Sequence, residues 1–234
     1  MRDRTALILG AAMVIAAAVF GIFFVKARTG EHTIAVVGSA THTFNSDVVK
    51  WQLIVSRDTP GNDLAQGHAQ VRNDIAEVMK QIESLRLEKD AVTIQPLNSS
   101  QRYNREGIPT DYHIHQSLYM ITDKLSLVEG LALNPERFAL KGNVIPYSNL
   151  QYFYSKVDSL KISLLGEAMK DARKRAQEIA EGSGVKVGNI TSARAGVFQI
   201  TEPYSTEFAP GGVYNTSSKT KDIRVTVHVT FLLD

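Results

Sequence analysis

The chain has 234 residues, enough for one domain with a real core or for two lobes. Its 26 Lys and Arg nearly balance 24 Asp and Glu, and the formal net charge is +2. It contains no cysteine, which excludes disulfides, thiolate metal sites, cysteine nucleophiles and a lipid-modified N-terminal cysteine.

Residues 6–25, ALILGAAMVIAAAVFGIFFV, carry no charge and no hydrogen-bonding side chain. At about 1.5 Å per residue such a helix spans about 30 Å, the hydrocarbon thickness of a bilayer. A cleaved signal peptide has a shorter apolar region, of about 7–15 residues, before a small-residue cleavage site. Val25-Lys26-Ala27 offers such a site, with a lysine awkwardly inside it. Length favours an anchor that is kept. The expected plan is a short tail at 1–5, a transmembrane anchor or uncleaved signal sequence at 6–25, a linker at 26–32 and a folded domain at 33–234. Arg2 and Arg4 precede the apolar run, and Lys26 and Arg28 follow it, so positive charge gives little orientation bias. An N-terminal anchor ahead of a large domain most often exports that domain.

Beyond residue 27 the basic and acidic side chains are equal in number. Nucleic-acid binders show a basic excess or a basic face, so no nucleic-acid partner is expected. The one basic cluster, Lys170 to Arg175, lies among Glu167, Glu178 and Glu181 in a helical pattern and reads as a solvated helix face.

Strands are expected at 33–37 and 48–56. In the second, Val49, Trp51, Leu53 and Val55 alternate with Lys50, Gln52 and Ser56. Between them lies GSATHTFNSD. A phosphate-gripping loop needs several glycines and a following helix. Here a lone Gly38 runs on toward a strand, so it reads as part of a turn between two strands. Leu64, Val71, Val78 and Leu85, with Ile75 and Ile82, predict an amphipathic helix from 64 to 85. Strands follow at 91–97 and 111–122, with 98–110 as a polar hairpin connection. Asp123 is placed to cap a short helix carrying Leu125, Val128 and Leu131, and Asn134-Pro135 ends it. Lys141-Gly142-Asn143 leads to a strand at 144–154 containing Tyr147, Tyr152, Phe153 and Tyr154.

A second long helix is expected at 157–181, with Ala168, Ala172, Ala176 and Ala180 four apart. Small side chains in a row let a helix lie close to its neighbour. Gly182 and Gly184 stop it. Strands at 187–199 and 223–231 complete the pattern, separated by some twenty residues without periodicity, long enough to be mobile or ordered by a partner. The fold class is α+β: a mostly antiparallel sheet with two long helices packed on one face. Residues 48–154 carry the β-α-β-β-α-β order of a ferredoxin-like core, extended by further β-α-β-β elements.

Two residue sets suggest chemistry. His113 and His115, two apart on a strand, project from the same face as two metal ligands would. A third ligand has to come from His42, His68, His228 or a carboxylate, and the bland reading is a half-exposed sheet face. Ser39, His42 and Asp47 offer the residue types of a hydrolase triad, but no Gly-x-Ser-x-Gly elbow surrounds the serine. Neither set implies a cofactor.

The stretch Val36, Val37, Gly38, Ala40, then Ser46, Asp47 and the alternating strand to Val55 resembles the opening of the SIMPL domain family. The resemblance continues at Gly142-Asn143-Val144 and in EAMKDARKRAQEIAEGSGVKVGNI, an alanine-spaced helix followed by Gly-x-Lys-x-Gly. It covers roughly 33–233, with Ala40 standing where a second glycine is common. It implies an extracytoplasmic bacterial protein with no established catalytic residues and no known small-molecule substrate, in a family some of whose members look like ring-forming oligomers and some of which are linked to oxidative-stress tolerance. Together with the apolar run, the expectation is a single-pass protein of the bacterial inner membrane, held in the bilayer by its N-terminal helix, with a periplasmic or extracytoplasmic body that forms homo-oligomers. The expected function is a membrane-anchored, non-enzymatic domain that self-assembles. A metal or small-ligand module built on His113 and His115, and a hydrolase, are the alternatives.

Overall fold

The computed structural model describes residues 2–28, 32–60, 63–84, 91–139 and 144–234. Helix α1 (Arg2–Arg28) is unbroken. Large apolar side chains along it point outward, from Leu9 at 67% exposure to Val25 at 61%. Its side chains are described from 9 to 25, short of the roughly 20 positions a span requires. Among the described residues no helix is long and apolar enough to cross a membrane.

The chain forms two compact units. One comprises Met1–Ala40, Leu165–Gly196 and Thr226–Asp234; the other comprises Thr41–Leu164 and Val197–Val225. Strands β1 (Thr33–Asn45) and β10 (Thr220–Leu233) and helix α5 (Val157–Glu181) contribute to both.

The larger unit is built on β2 (Val48–Pro60), α2 (Leu64–Ser84), β3 (Val92–Ile94), β4 (Asn98–Tyr103), β5 (Pro109–Thr122), α3 (Leu125–Ala132), α4 (Glu136–Ala139) and β6 (Tyr147–Phe153). Its main sheet runs β3-β5-β2-β6, antiparallel throughout, and β4 also pairs with β5. The alternation of β2 works as the sequence predicts. Val49, Trp51, Leu53 and Val55 are buried on one face with Ile114, Leu118 and Met120 of β5. Val71, Ile75, Val78 and Ile82 of α2 cover that face, and Val128, Leu131 and Phe138 of α3 and α4 complete the core. Each such side chain stabilises the fold by about 1.5–3 kcal/mol relative to exposure. Leu85 and the Lys141-Gly142-Asn143 approach lie outside the described residues.

The same face holds one ion pair. Arg57 Nε donates to Asp74 Oδ2 at 2.6 Å and Nη2 donates to Oδ1 at 3.0 Å, joining β2 to α2. The fork-to-fork geometry suits a guanidinium and a carboxylate, and Asp74 raises the Arg57 pKa mainly through this hydrogen bond.

The second sheet runs in the order β1, β10, β8 (Gln199–Thr201) and β9 (Val213–Tyr214), with β7 (Val187–Ala195) also paired to β10. The expectation of one sheet carrying both long helices is therefore corrected to two sheets. Helix α2 serves the first. In the smaller unit, α5 lies against β1 of the second, and Ala168, Ala172, Ala176 and Ala180 are at most 2% exposed. Gly184, at φ +74°, closes α5, and Val185 N donates back to the Ala180 carbonyl at 3.2 Å, a Schellman ending.

Three local expectations are also corrected. Gly38 is not in a turn; it sits inside the continuous strand β1. A Cβ there would lie 2.5 Å from the Ala172 nitrogen and 2.6 Å from the Ala172 Cβ. The glycine is required by the closeness of α5, a contact invisible to local turn chemistry. Residues 98–103 form strand β4, although its polar composition reads as a connection, because β5 is long enough to pair with both β3 and β4. The N-cap of α3 is Lys124, with no side-chain cap; Asp123 contributes its carbonyl to Leu125 N instead.

Candidate functional site

Strand β5 places His113 and His115 on the face turned away from α2, as alternation requires. Their rings stack with centroids 5.7 Å apart. Across the sheet, His113 faces Asp58 on β2 and Ser100 on β4, and His115 faces Ser56 and Asn98. His113 Nδ1 lies 2.6 Å from Asp58 Oδ1 and 3.2 Å from Arg102 Nη2. Arg102 also reaches Asp58 Oδ2 at 3.1 Å and Asp111 at 3.8 Å. His115 Nδ1 is buried without a hydrogen-bond partner among the described residues.

The pair thus supplies two imidazoles, one of them already held by a carboxylate and a guanidinium. Among the described residues no group of three or more His, Cys, Asp or Glu side chains is placed to hold a metal ion. His68 belongs to α2 and therefore to the layer on the opposite face of this sheet.

The triad residues are engaged separately. Ser39 N donates to Asp171 Oδ2 at 2.8 Å, and Arg175 Nε donates to the same oxygen at 2.8 Å. The Ser39 amide holds the Asp171 carboxyl below its ordinary range. Asp47 accepts from Ser155 N at 2.7 Å and from Ser155 Oγ at 2.5 Å. Burial pushes its pKa up, but the Ser155 hydrogen bonds bring it below the ordinary carboxylate range. Ser39 and His42 are three apart on β1, so their side chains leave opposite faces. Ser39 and Asp47 each have partners of their own, His42 is exposed, and no nucleophile–base pair forms among these three.

Tyr152, Phe153 and Tyr154, at the end of β6, find separate partners. Tyr152 faces the core and donates to Glu129 Oε1 at 3.0 Å. Burial, reinforced by that carboxylate, raises its pKa to about 12. Phe153 packs near Tyr214 at 6.2 Å, and Tyr154 near Phe44 at 5.0 Å. Glu129 is shared with Lys219, whose Nζ lies 3.1 Å from both carboxylate oxygens.

Two features escape a sequence reading. Lys221 on β10 is fully buried, donates to the Ser218 carbonyl, and has its pKa lowered by burial to about 8. Its position in the alternating apolar face, two before Ile223, is the signal that could have found it. The second is the segment after β8 (Gln199–Thr201). It is held by its own hydrogen bonds. Gln199 Nε2 donates to the Ala209 carbonyl at 2.9 Å, and Ala209 N returns to Gln199 Oε1 at 3.3 Å. Asn215 Nδ2 donates to Glu202 Oε2 at 2.8 Å. On this frame Tyr204 is 100% exposed and Phe208 71%.

A family model described as SIMPL, protein of unknown function (DUF541), matches residues 34–231. The chain belongs to the SIMPL family. The match begins in β1, ends in β10 and leaves α1 outside. No curated protein matches the chain. The positions that carry the SIMPL resemblance hold the body together. Gly38 admits α5, Asp47 braces Ser155, and Gly184 closes α5. Gly188, the last glycine of Gly-x-Lys-x-Gly, leaves room for the Asp234 carboxylate, which a Cβ would approach to 2.8 Å. Beside it, Lys186 and Asp234 exchange two backbone hydrogen bonds.

Proposed function

We propose that this SIMPL protein is a membrane-tethered, non-enzymatic body that works outside the cytoplasm by associating with copies of itself, in envelope or oxidative-stress homeostasis. The observation that carries the tether is α1, whose residues 6–25 are apolar throughout in sequence and whose large side chains between Leu9 and Val25 are exposed. A helix apolar all round belongs in a membrane or a large core. The non-enzymatic reading is supported by the engagement of Ser39, Asp47 and His113 with structural partners. Self-association is supported by exposed aromatic side chains on a hydrogen-bonded frame, since such residues are enriched at interfaces.

The test is protease accessibility of a C-terminal tag in intact and osmotically opened bacterial cells, with membrane pellets washed at high pH. The expected result is a tag cleaved only after opening, on a protein that stays in the pellet. A tag protected until the inner membrane is lysed would overturn the exported placement, and release into the wash would overturn the tether. Light scattering of the detergent-solubilised chain tests assembly; a strict monomer at micromolar concentration refutes it.

A further inference from the structure

The larger unit carries both a projecting segment and a hollow whose chemistry matches it. The hollow is a groove of about 580 Å³ between α2 and β3. Ile75, Met79 and Ile94 give it an apolar wall, and Arg72 and Lys80 stand on it with one acidic side chain, Glu83. Gln116 also lines the groove. Its Nε2 donates to the Gln95 carbonyl at 2.9 Å, while its Oε1 is buried with no donor among the described residues. A buried acceptor left without a donor is costly and marks a position where a donor from elsewhere would be favourable.

The projecting segment is Glu202 to Phe208, EPYSTEF. It offers two aromatic rings, a phenol donor and two carboxylates, with no basic residue. Tyr204 is held at φ +63°, a left-handed backbone that is uncommon for a bulky side chain. A turn from Ser205 N to the Glu202 carbonyl and a bond from Glu207 N to Ser205 Oγ fix the presentation. A side chain fixed in advance loses less freedom on docking.

We infer that the Glu202–Phe208 segment of one copy docks into the α2–β3 groove of a second copy. Phe208 covers Ile75, Met79 and Ile94, the Tyr204 hydroxyl donates to Gln116 Oε1, and Glu202 and Glu207 approach Arg72 and Lys80. This deepens the self-association reading and rests on it. The two docking parts differ, so copies join either heterologously, closing as a ring or growing as a filament, or reciprocally, two copies each giving its segment to the other's groove.

The test uses the full chain in detergent, sized by light scattering and sedimentation velocity. One variant removes the segment's rings, Tyr204→Ala with Phe208→Ala; another spoils the groove, Met79→Glu. Circular dichroism and thermal unfolding check that each folds. Each alone is expected to weaken association about 30-fold or more, the scale of an aromatic hot spot. Mixed together, the two variants retain one good segment and one good groove, and are expected to form dimers and nothing larger. If the wild type assembles and the ring-free variant assembles equally well, or the mixture stays monomeric, the docking is refuted while self-association stands. If the wild type is itself monomeric, both fall. Should Met79→Glu fail to fold, Gln116→Leu serves on the groove side: it keeps the apolar wall and removes the acceptor, with a several-fold weakening expected and unchanged affinity counting against the docking.

Discussion

Gly38→Ala tests the packing of the smaller unit in a single methyl group. Where space exists, Gly to Ala stabilises a protein by about 0.4–1 kcal/mol, because it restricts the unfolded chain. At position 38 the new Cβ would meet the Ala172 nitrogen at 2.5 Å, and the Ala168 carbonyl oxygen closer still, whereas ordinary Cβ contacts lie at 3.4–4 Å. The helix must retreat by about 1 Å, and the atoms in the way are backbone, which no rotamer change can move. Overpacking of this kind costs about 1–3 kcal/mol, occasionally more, and an unyielding main chain places this site at the upper end. For a protein of this size 1 kcal/mol shifts Tm by about 2–4 °C, so a fall of about 6–12 °C is expected for the detergent-solubilised variant by scanning calorimetry or circular dichroism. Adding Ala172→Gly removes the Cβ–Cβ clash and leaves both backbone clashes, so it should recover only a small part. A Tm for Gly38→Ala within 2 °C of wild type, or full recovery in the double variant, would refute the argument.

Lys221 gives a pH signature. Its pKa is lowered to about 8 in the fold from the ordinary 10.5, so between those values the unfolded chain holds more protons. Stability therefore rises as pH climbs from about 8 to 10.5. Denaturant melts should show that gain reduced in Lys221→Met relative to wild type; identical pH dependence would contradict it. Asp74→Asn breaks half of the fork with Arg57 and should cost about 1–3 kcal/mol in urea unfolding; no change would mean the pair contributes nothing net. Asp47 has a lowered pKa, so its contribution is present at neutral pH and is lost as pH falls through the native value. Asp47→Ala should accordingly lower stability at pH 7 and lose less than wild type on acidification, which acid titration followed by tryptophan fluorescence will read.

Long amphipathic elements were legible because burial follows a single period. Helix α2, helix α5 and the alternation of β2, β5 and β10 all stand where their apolar spacing places them. Partnership between distant segments was not legible. A polar run such as Asn98–Tyr103 becomes a strand only because β5 offers it an edge, and Gly38 looks like a turn until Ala172 arrives from 134 positions away. Of the candidate site, the shared face of His113 and His115 followed from alternation. Asp58 and Arg102 did not, because their approach depends on the β2–β5 and β4–β5 registers. The segment around Tyr204 has no period at all, and its order comes from hydrogen bonds of Gln199 and Asn215 together with its own turn at Ser205.

His113 has one consequence beyond its neighbours. A guanidinium can only offer hydrogen atoms, and a carboxylate in its charged form can only receive them, yet both approach the same ring nitrogen. With the hydrogen on Nδ1 the imidazole serves Asp58; with the hydrogen on Nε2 it serves Arg102. The same heavy atoms thus support two bonding patterns, exchanged by relocating one hydrogen around a ring while every strand stays in place.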